Sequence, residues 1–153
     1  MNLHIYLGML SRSERTLAES FRQVAEGHGE EPDVHFLCQS LAGQSDHHEQ
    51  VLLPVIERYG RSGEGREPER LHIQGLCGTR RGPVGLLRDL QDVFVLASMV
   101  DITWTVVEQA GQALRDEELL SVVKLCHKET QVQLKWLQTR IKQASPQALL
   151  AAG

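Results

Sequence analysis

The chain has 153 residues, enough for one domain with its own core. A net charge of -4 gives no electrostatic reason to bind nucleic acid, and 5% aromatics with few β-branched runs favour helices over a sandwich or barrel. No apolar run reads as long enough to span a bilayer, and the opening MNLHIYLGML has neither a basic start nor a cleavage pattern. Cys38, Cys77 and Cys126 are odd in number and far apart, so they suit a reducing cytoplasm better than a disulfide framework or zinc spacing. The expectation is a cytoplasmic protein with no nucleic-acid or membrane partner.

The first predicted helix covers about residues 3–27. Leu3, Leu7, Leu10, Leu17, Phe21 and Val24 form a heptad seam with one member missing, and that position holds Glu14. Gly27, His28 and Gly29 end it. The second helix, about 32–59, opens on Pro32 and steps through Val34, Cys38, Leu41, Ser45, His48, Leu52, Val55 and Tyr59. Ser45 and His48 are the polar interruption in that seam. Pro54 falls inside it and predicts a kink or a freed carbonyl one turn back, at Gln50.

Residues 61–82 are rich in Gly, Arg and Glu and form the one long connection. Leu71, Ile73 and Leu76 suggest a short helix within it. Arg61, Arg66, Arg70, Arg80 and Arg81 make it locally basic, although Glu64, Glu67 and Glu69 dilute that charge. At ~3.3 Å per extended residue it can run the length of a helix and serve as a crossover.

The third helix covers about 83–115. Leu90, Phe94, Ala97, Trp104 and Gly111 lie on one seam, with Val93, Val100, Val107 and Leu114 beside it. Asp101 and Glu108 fall in the same stepped row, and a carboxylate among valines and a tryptophan needs a partner. Asp116 suits the N-cap of a fourth helix, about 116–144. Its seam is Leu119, Val123, Cys126, Thr130, Leu134, Leu137 and Ile141, flanked by Glu129. The tail after Pro146 is expected to fray or to dock at one end. The whole reads as a single domain over 1–153: an all-α, four-helix up-and-down bundle with a long connection between the second and third helices.

Each helix thus carries one polar residue on or beside its seam: Glu14, His48, Asp101 and Glu129. Asp101 and Glu129 stand at matching distances from the turn at 115–116, so an antiparallel hairpin brings them level. Glu14 and His48 differ by three residues in the same test, ~4.5 Å of helix rise. Inward carboxylates and an imidazole at one height are how bundles hold iron or manganese. A hydrogen-bonded network that fixes helix register, with no metal, uses the same residue types.

The arrangement resembles the ferritin-like superfamily, and the second half resembles small uncharacterised bacterial proteins of that class. The resemblance rests on the run from Asp101 to Leu149, on HHEQVLLP at 47–54 and on ERYG at 57–60. It implies a ferritin-like bundle with Glu14, His48, Asp101 and Glu129 at the ligand positions. The family's two-metal members use a Glu-x-x-His pair on each of two helices. In this chain Val132 stands where the fourth-helix histidine belongs, and Ser45 stands where the second-helix glutamate belongs.

His47 is expected to face solvent, since it points ~100° away from His48. Trp104 and Trp136 read as core, Cys38 and Cys126 as small hydrophobes, and Cys77 as the reactive thiol. There is no Ser-His-Asp order, phosphate loop or dinucleotide fingerprint, so the reading leans away from an enzyme. Three functions follow. The first is a ferritin-like protein with a degenerate polar layer and at most one weakly held metal. The second is a helical adaptor that pairs with itself or another protein, without metal or catalysis. The third is a di-metal carboxylate oxidase.

Overall fold

Start signals in the sequence place the helix ends. In the computed structural model, which describes residues 2–60 and 73–152, α1 is Leu3–Gly27, α2 Pro32–Tyr59, α3 Gly82–Leu114 and α4 Glu117–Pro146. Proline occupies the first turn of α2 and of α3. Two residues, Arg115 and Asp116, join α3 to α4, and Asp116 closes one helix and opens the next. Its N–H donates to the Gly111 carbonyl at 3.0 Å, closing α3 around Arg115 in the left-handed conformation (φ 53°). Its carboxylate then accepts the Leu119 N–H at 3.1 Å and caps α4.

The direction of each helix follows from contacts at the two ends. At one end His28 meets Asp89, and Arg140 reaches Asp33 at 2.7 Å. At the other, Leu3 lies beside Leu114, and the Tyr59 hydroxyl donates to Asp116. So α2 and α3 run the same way, opposite to α1 and α4. The end of α2 at Tyr59 and the start of α3 at Gly82 therefore lie at opposite ends of the bundle. Helix α1 packs on α2 and α3, and α4 packs on α3 and α2. Among the described residues there is no strand.

The core is built from the seams read in the sequence. Leu7, Leu10, Leu17, Phe21, Val34, Cys38, Leu52, Leu90, Val100, Trp104, Val107, Leu119, Cys126 and Leu137 are all fully buried. Each large aliphatic or aromatic among them contributes about 1.5–3 kcal/mol relative to exposure.

Of three local expectations, the structure overturns one, the short helix through Ile73 and Leu76, and decides between the alternatives left open for Pro54 and for the tail. Pro54 does not interrupt α2, which runs unbroken from Pro32 to Tyr59. Both Pro54 and Gln50 lie on the exposed face, where water can take the carbonyl that proline cannot bond. Ile73 and Leu76 are not helical; residues 73–81 form an extended strap over α1 and α3. The strap is pinned by Leu76 N–H to Ser20 Oγ (3.3 Å) and Arg80 N–H to Asp89 Oδ2 (2.9 Å). At Gly75 it lies so close to α1 that a Cβ would sit 2.7 Å from Thr16 Cγ2. Leu71 and the basic positions Arg61, Arg66 and Arg70 fall outside the described residues. Finally, the tail docks: Gln147–Ala151 makes a π-helical turn, and Ala148 packs with Ala144 against Leu87.

Helix α3 is also more apolar than its core role requires. An 18-residue window within it has mean hydropathy 1.4, with 44% of that window buried inside the bundle. By length and composition alone it is long and apolar enough to cross a membrane, which the sequence reading had not anticipated.

Candidate functional site

Glu14 occupies a position of the α1 seam whose other members are apolar, and His48 interrupts the α2 seam, so both side chains are carried into the core by the helices that hold them. Both are completely buried. His48 Nδ1 lies 3.2 Å from Glu14 Oε1, and His48 Nε2 lies 3.1 Å from Glu129 Oε1 on α4. Helix α3 contributes Trp104, whose Nε1–H donates to the same Glu14 Oε1 at 2.9 Å. All four helices therefore meet at one buried cluster.

A ring nitrogen beside an ionised carboxylate must donate, and here both ring nitrogens face carboxylates, so the arrangement suits the imidazolium form. Burial is the largest single influence on His48 and opposes its charge. Hydrogen bonds and charge attraction from Glu14, then Glu129, together outweigh it, and the His48 pKa is raised. Glu14 Oε2, also buried, has no hydrogen-bond partner among the described residues. Glu129 differs from Glu14 in remaining 29% exposed. Burial, followed by the charges of Glu14 and Glu129, pushes the neighbouring Cys126 thiol up; burial and then Asp33 push the Cys38 thiol up to about 12. Neither thiol is available as a thiolate nucleophile.

Asp101, expected in the same layer, is turned elsewhere. Its Oδ1 lies 2.9 Å from His127 Nε2 at the flank between α3 and α4, without the alignment of a hydrogen bond. Glu108 approaches the other nitrogen of His127 at 3.8 Å. The buried face of α3 passes through Val93, Ala97, Val100, Trp104 and Val107. Asp101 is one step, ~100°, past Val100, and that step moves it from the core to the α4 side. Of the four expected residues, Glu14, His48 and Glu129 converge and Asp101 does not.

As arranged, the converging three do not form a chelating set. Both nitrogens of the only imidazole are engaged by carboxylates. Among the described residues no group of three or more His, Cys, Asp and Glu side chains is placed to hold a metal ion.

A second polar cluster escaped the sequence reading. His28 Nε2 lies 2.7 Å from Asp89 Oδ2, both buried, and Arg80 donates to Asp89 Oδ1 at 2.6 Å and to Asp92 at 2.9 Å. This ties the end of α1 and the strap to the first turns of α3. His28 and Asp89 are 61 residues apart, so no helical spacing signals the pair.

The other unread feature is on the outside. Val95, Met99, Ile102 and Val106 are 69%, 50%, 53% and 46% exposed. They step four, three and four along α3, ~150° around the helix from its buried seam. A groove of about 540 Å³, lined in part by Tyr6, Met9, Ile73, Leu96 and Thr103, runs beside them. No protein-family model, curated protein or solved structure matches this chain.

Proposed function

We propose that this chain is a helical interaction module on a ferritin-like bundle, and that its working surface is the outward row of α3. The single observation that carries this reading is the row itself: four large apolar side chains, exposed, at heptad spacing. Exposed apolar residues scattered singly need no explanation, whereas a contiguous row marks a contact surface. The spacing is that by which one helix accepts another. The buried cluster serves a different purpose under this reading. With one polar partner from each helix, it penalises any slip of one helix past another, because a slip leaves Glu14 or His48 buried and unpaired.

The test is binding of a fluorescent synthetic peptide with leucine at heptad a and d positions and Glu and Lys elsewhere. The full chain is expected to bind it, and Met99→Glu with Ile102→Glu to abolish binding without changing helical content or melting temperature. No binding, or equal binding by the variant, refutes the reading.

The unpartnered Glu14 Oε2 favours a second reading, a ferritin-like protein that holds one metal weakly. A metal there would compete with the proton on His48, since a ligating imidazole must be neutral. Elemental analysis decides it: stoichiometric iron or manganese, lost in His48→Ala and Glu129→Ala, supports a metal site. Metal-free protein whose melting temperature does not move on adding either ion counts against it. A two-metal oxidase is the poorest fit, since Glu14, His48 and Glu129 supply one imidazole and two carboxylates.

A further inference from the structure

We infer that the occupant of the α3 row is a second copy of this chain, docked antiparallel about a two-fold axis that passes level with Val100 and Asp101. This rests on the interaction-module reading above and adds the partner and its register.

The row is symmetric in its own spacing. Reversed and laid on itself, it places Val95 against Val106 of the second copy, and Met99 against Ile102 of the second copy. Both pairs bring large apolar side chains together, and each occurs twice about the axis, as an isologous contact requires. Continuing outward, Asp92 meets Gln109, Gln91 meets Ala110, and Arg88 meets Ala113. No like charges face each other. The parallel alternative sets Arg88 against Arg88 and Asp92 against Asp92, and aligns two helix dipoles side by side. Charge compatibility therefore selects the antiparallel pairing.

The centre of the contact is free of charge. Between Val93 and Val107 the one ionisable side chain is Asp101, and it is turned away from this face toward His127. The groove beside the row supplies the recess that interdigitating side chains need, with Met9 and Thr103 forming part of its floor.

The area fits a weak dimer. The apolar row from Val95 to Val106 covers about three turns of helix, so the contact lies near or below the roughly 1,000 Å² expected of a specific interface. A contact that small fits a weak, reversible dimer rather than an obligate one. Other exposed large apolar residues, such as Phe36, Leu53, Leu125 and Val132, sit apart on α2 and α4 and offer no comparable row.

The experiment is sedimentation of the full chain from low-micromolar to sub-millimolar concentration. The mass is expected to rise from one chain toward two, and Met99→Glu with Ile102→Glu to weaken association at least 100-fold while circular dichroism is unchanged. Register is read by cross-linking in a Cys77→Ser background. Val95→Cys mixed with Val106→Cys is expected to form a disulfide-linked pair. Val95→Cys alone is not, because two copies of residue 95 lie about 16 Å apart along the axis. Cross-linking of Val95→Cys with itself overturns the antiparallel register. A monomer at every concentration overturns self-pairing, and the heptad peptide then separates the cases. If the peptide still binds through the row, the module reading stands with a different partner; if it does not, both fall. Row-dependent binding of a monomeric wild type to phosphatidylcholine–phosphatidylglycerol vesicles assigns the surface to a membrane and also overturns the pairing.

Discussion

Replacing His48 by leucine asks the sharpest question of the buried cluster. In the folded chain Glu14 is fully buried, and its Oε1 accepts from both His48 and Trp104. Glu129, 29% exposed, can turn to water when the imidazole is lost. The cost therefore falls on Glu14, left buried with one neutral donor. Breaking a buried pair by removing one partner costs about 3–5 kcal/mol. For a chain of this length each kcal/mol is worth about 2–4 °C, so the melting temperature is expected to fall by about 6–20 °C. The companion variant removes the charge as well. Glu14→Leu with His48→Leu leaves no buried ion, restores the α1 heptad, and strands only the Trp104 N–H, at about 1–3 kcal/mol. The double variant is thus expected to be more stable than His48→Leu alone. Urea unfolding followed by circular dichroism gives the free energies, and Trp104 emission reports on the site directly. If His48→Leu costs under about 1 kcal/mol, or if the double variant costs the sum of the two singles, the cluster is not a coupled unit.

Stability should also depend on pH through His48. Its folded-state pKa is raised above the ordinary value of 6.5, so its contribution is complete below that value and is lost as pH rises through the folded value. Unfolding free energy measured from pH 6 upward should decline in wild type, and His48→Leu should remove that component of the slope. Asp116 predicts the opposite limb. Burial, its largest influence, raises its pKa, but bonds from Tyr59, the Leu119 N–H and Arg58 outweigh that and hold it below 3.8. Its contribution is present above that value and is lost as pH falls through the folded one. Asp116→Ala should cost about 0.5–2 kcal/mol at neutral pH through the lost cap, and Asp116→Asn less. With a maleimide reagent under native conditions, Cys77, the exposed cysteine, should label first. Cys38 and Cys126, buried with raised pKa values, should label only at the rate of unfolding.

The buried half of the site was legible because it breaks a rule. A heptad with one glutamate among six apolar members points that glutamate inward, and His48 sits on an equally regular seam. Helix rise then places them at one height. Height is not azimuth, however. Steps of three and four both drift from the true helical period, so a residue at the edge of a seam can turn either way. For Asp101 the ~100° step past Val100 carries it to the α4 flank, beside His127. Trp104 was legible as core but not as a donor, although a buried indole N–H needs an acceptor and Glu14 was the nearest unmatched one. His28 and Asp89 left no trace, because a contact between a turn and the first turns of another helix has no period.

The outward row of α3 was hidden for a different reason, and that reason bears on what α3 is for. Periodicity reveals a face by contrast with a polar opposite face. Between Val93 and Val107 there is a single charge, so Val93, Val100 and Val107 on one side mask Val95, Met99, Ile102 and Val106 on the other. A helix that serves only a bundle core has no use for the second row, and glutamate at any of those four positions would improve solubility at no packing cost. Helix α2, which also crosses the core, exposes Gln50, Pro54 and Glu57 on its outer side and carries no such row. The asymmetry between two core helices of one bundle is the physical reason to read α3 as a helix with two partners, one inside the chain and one outside it.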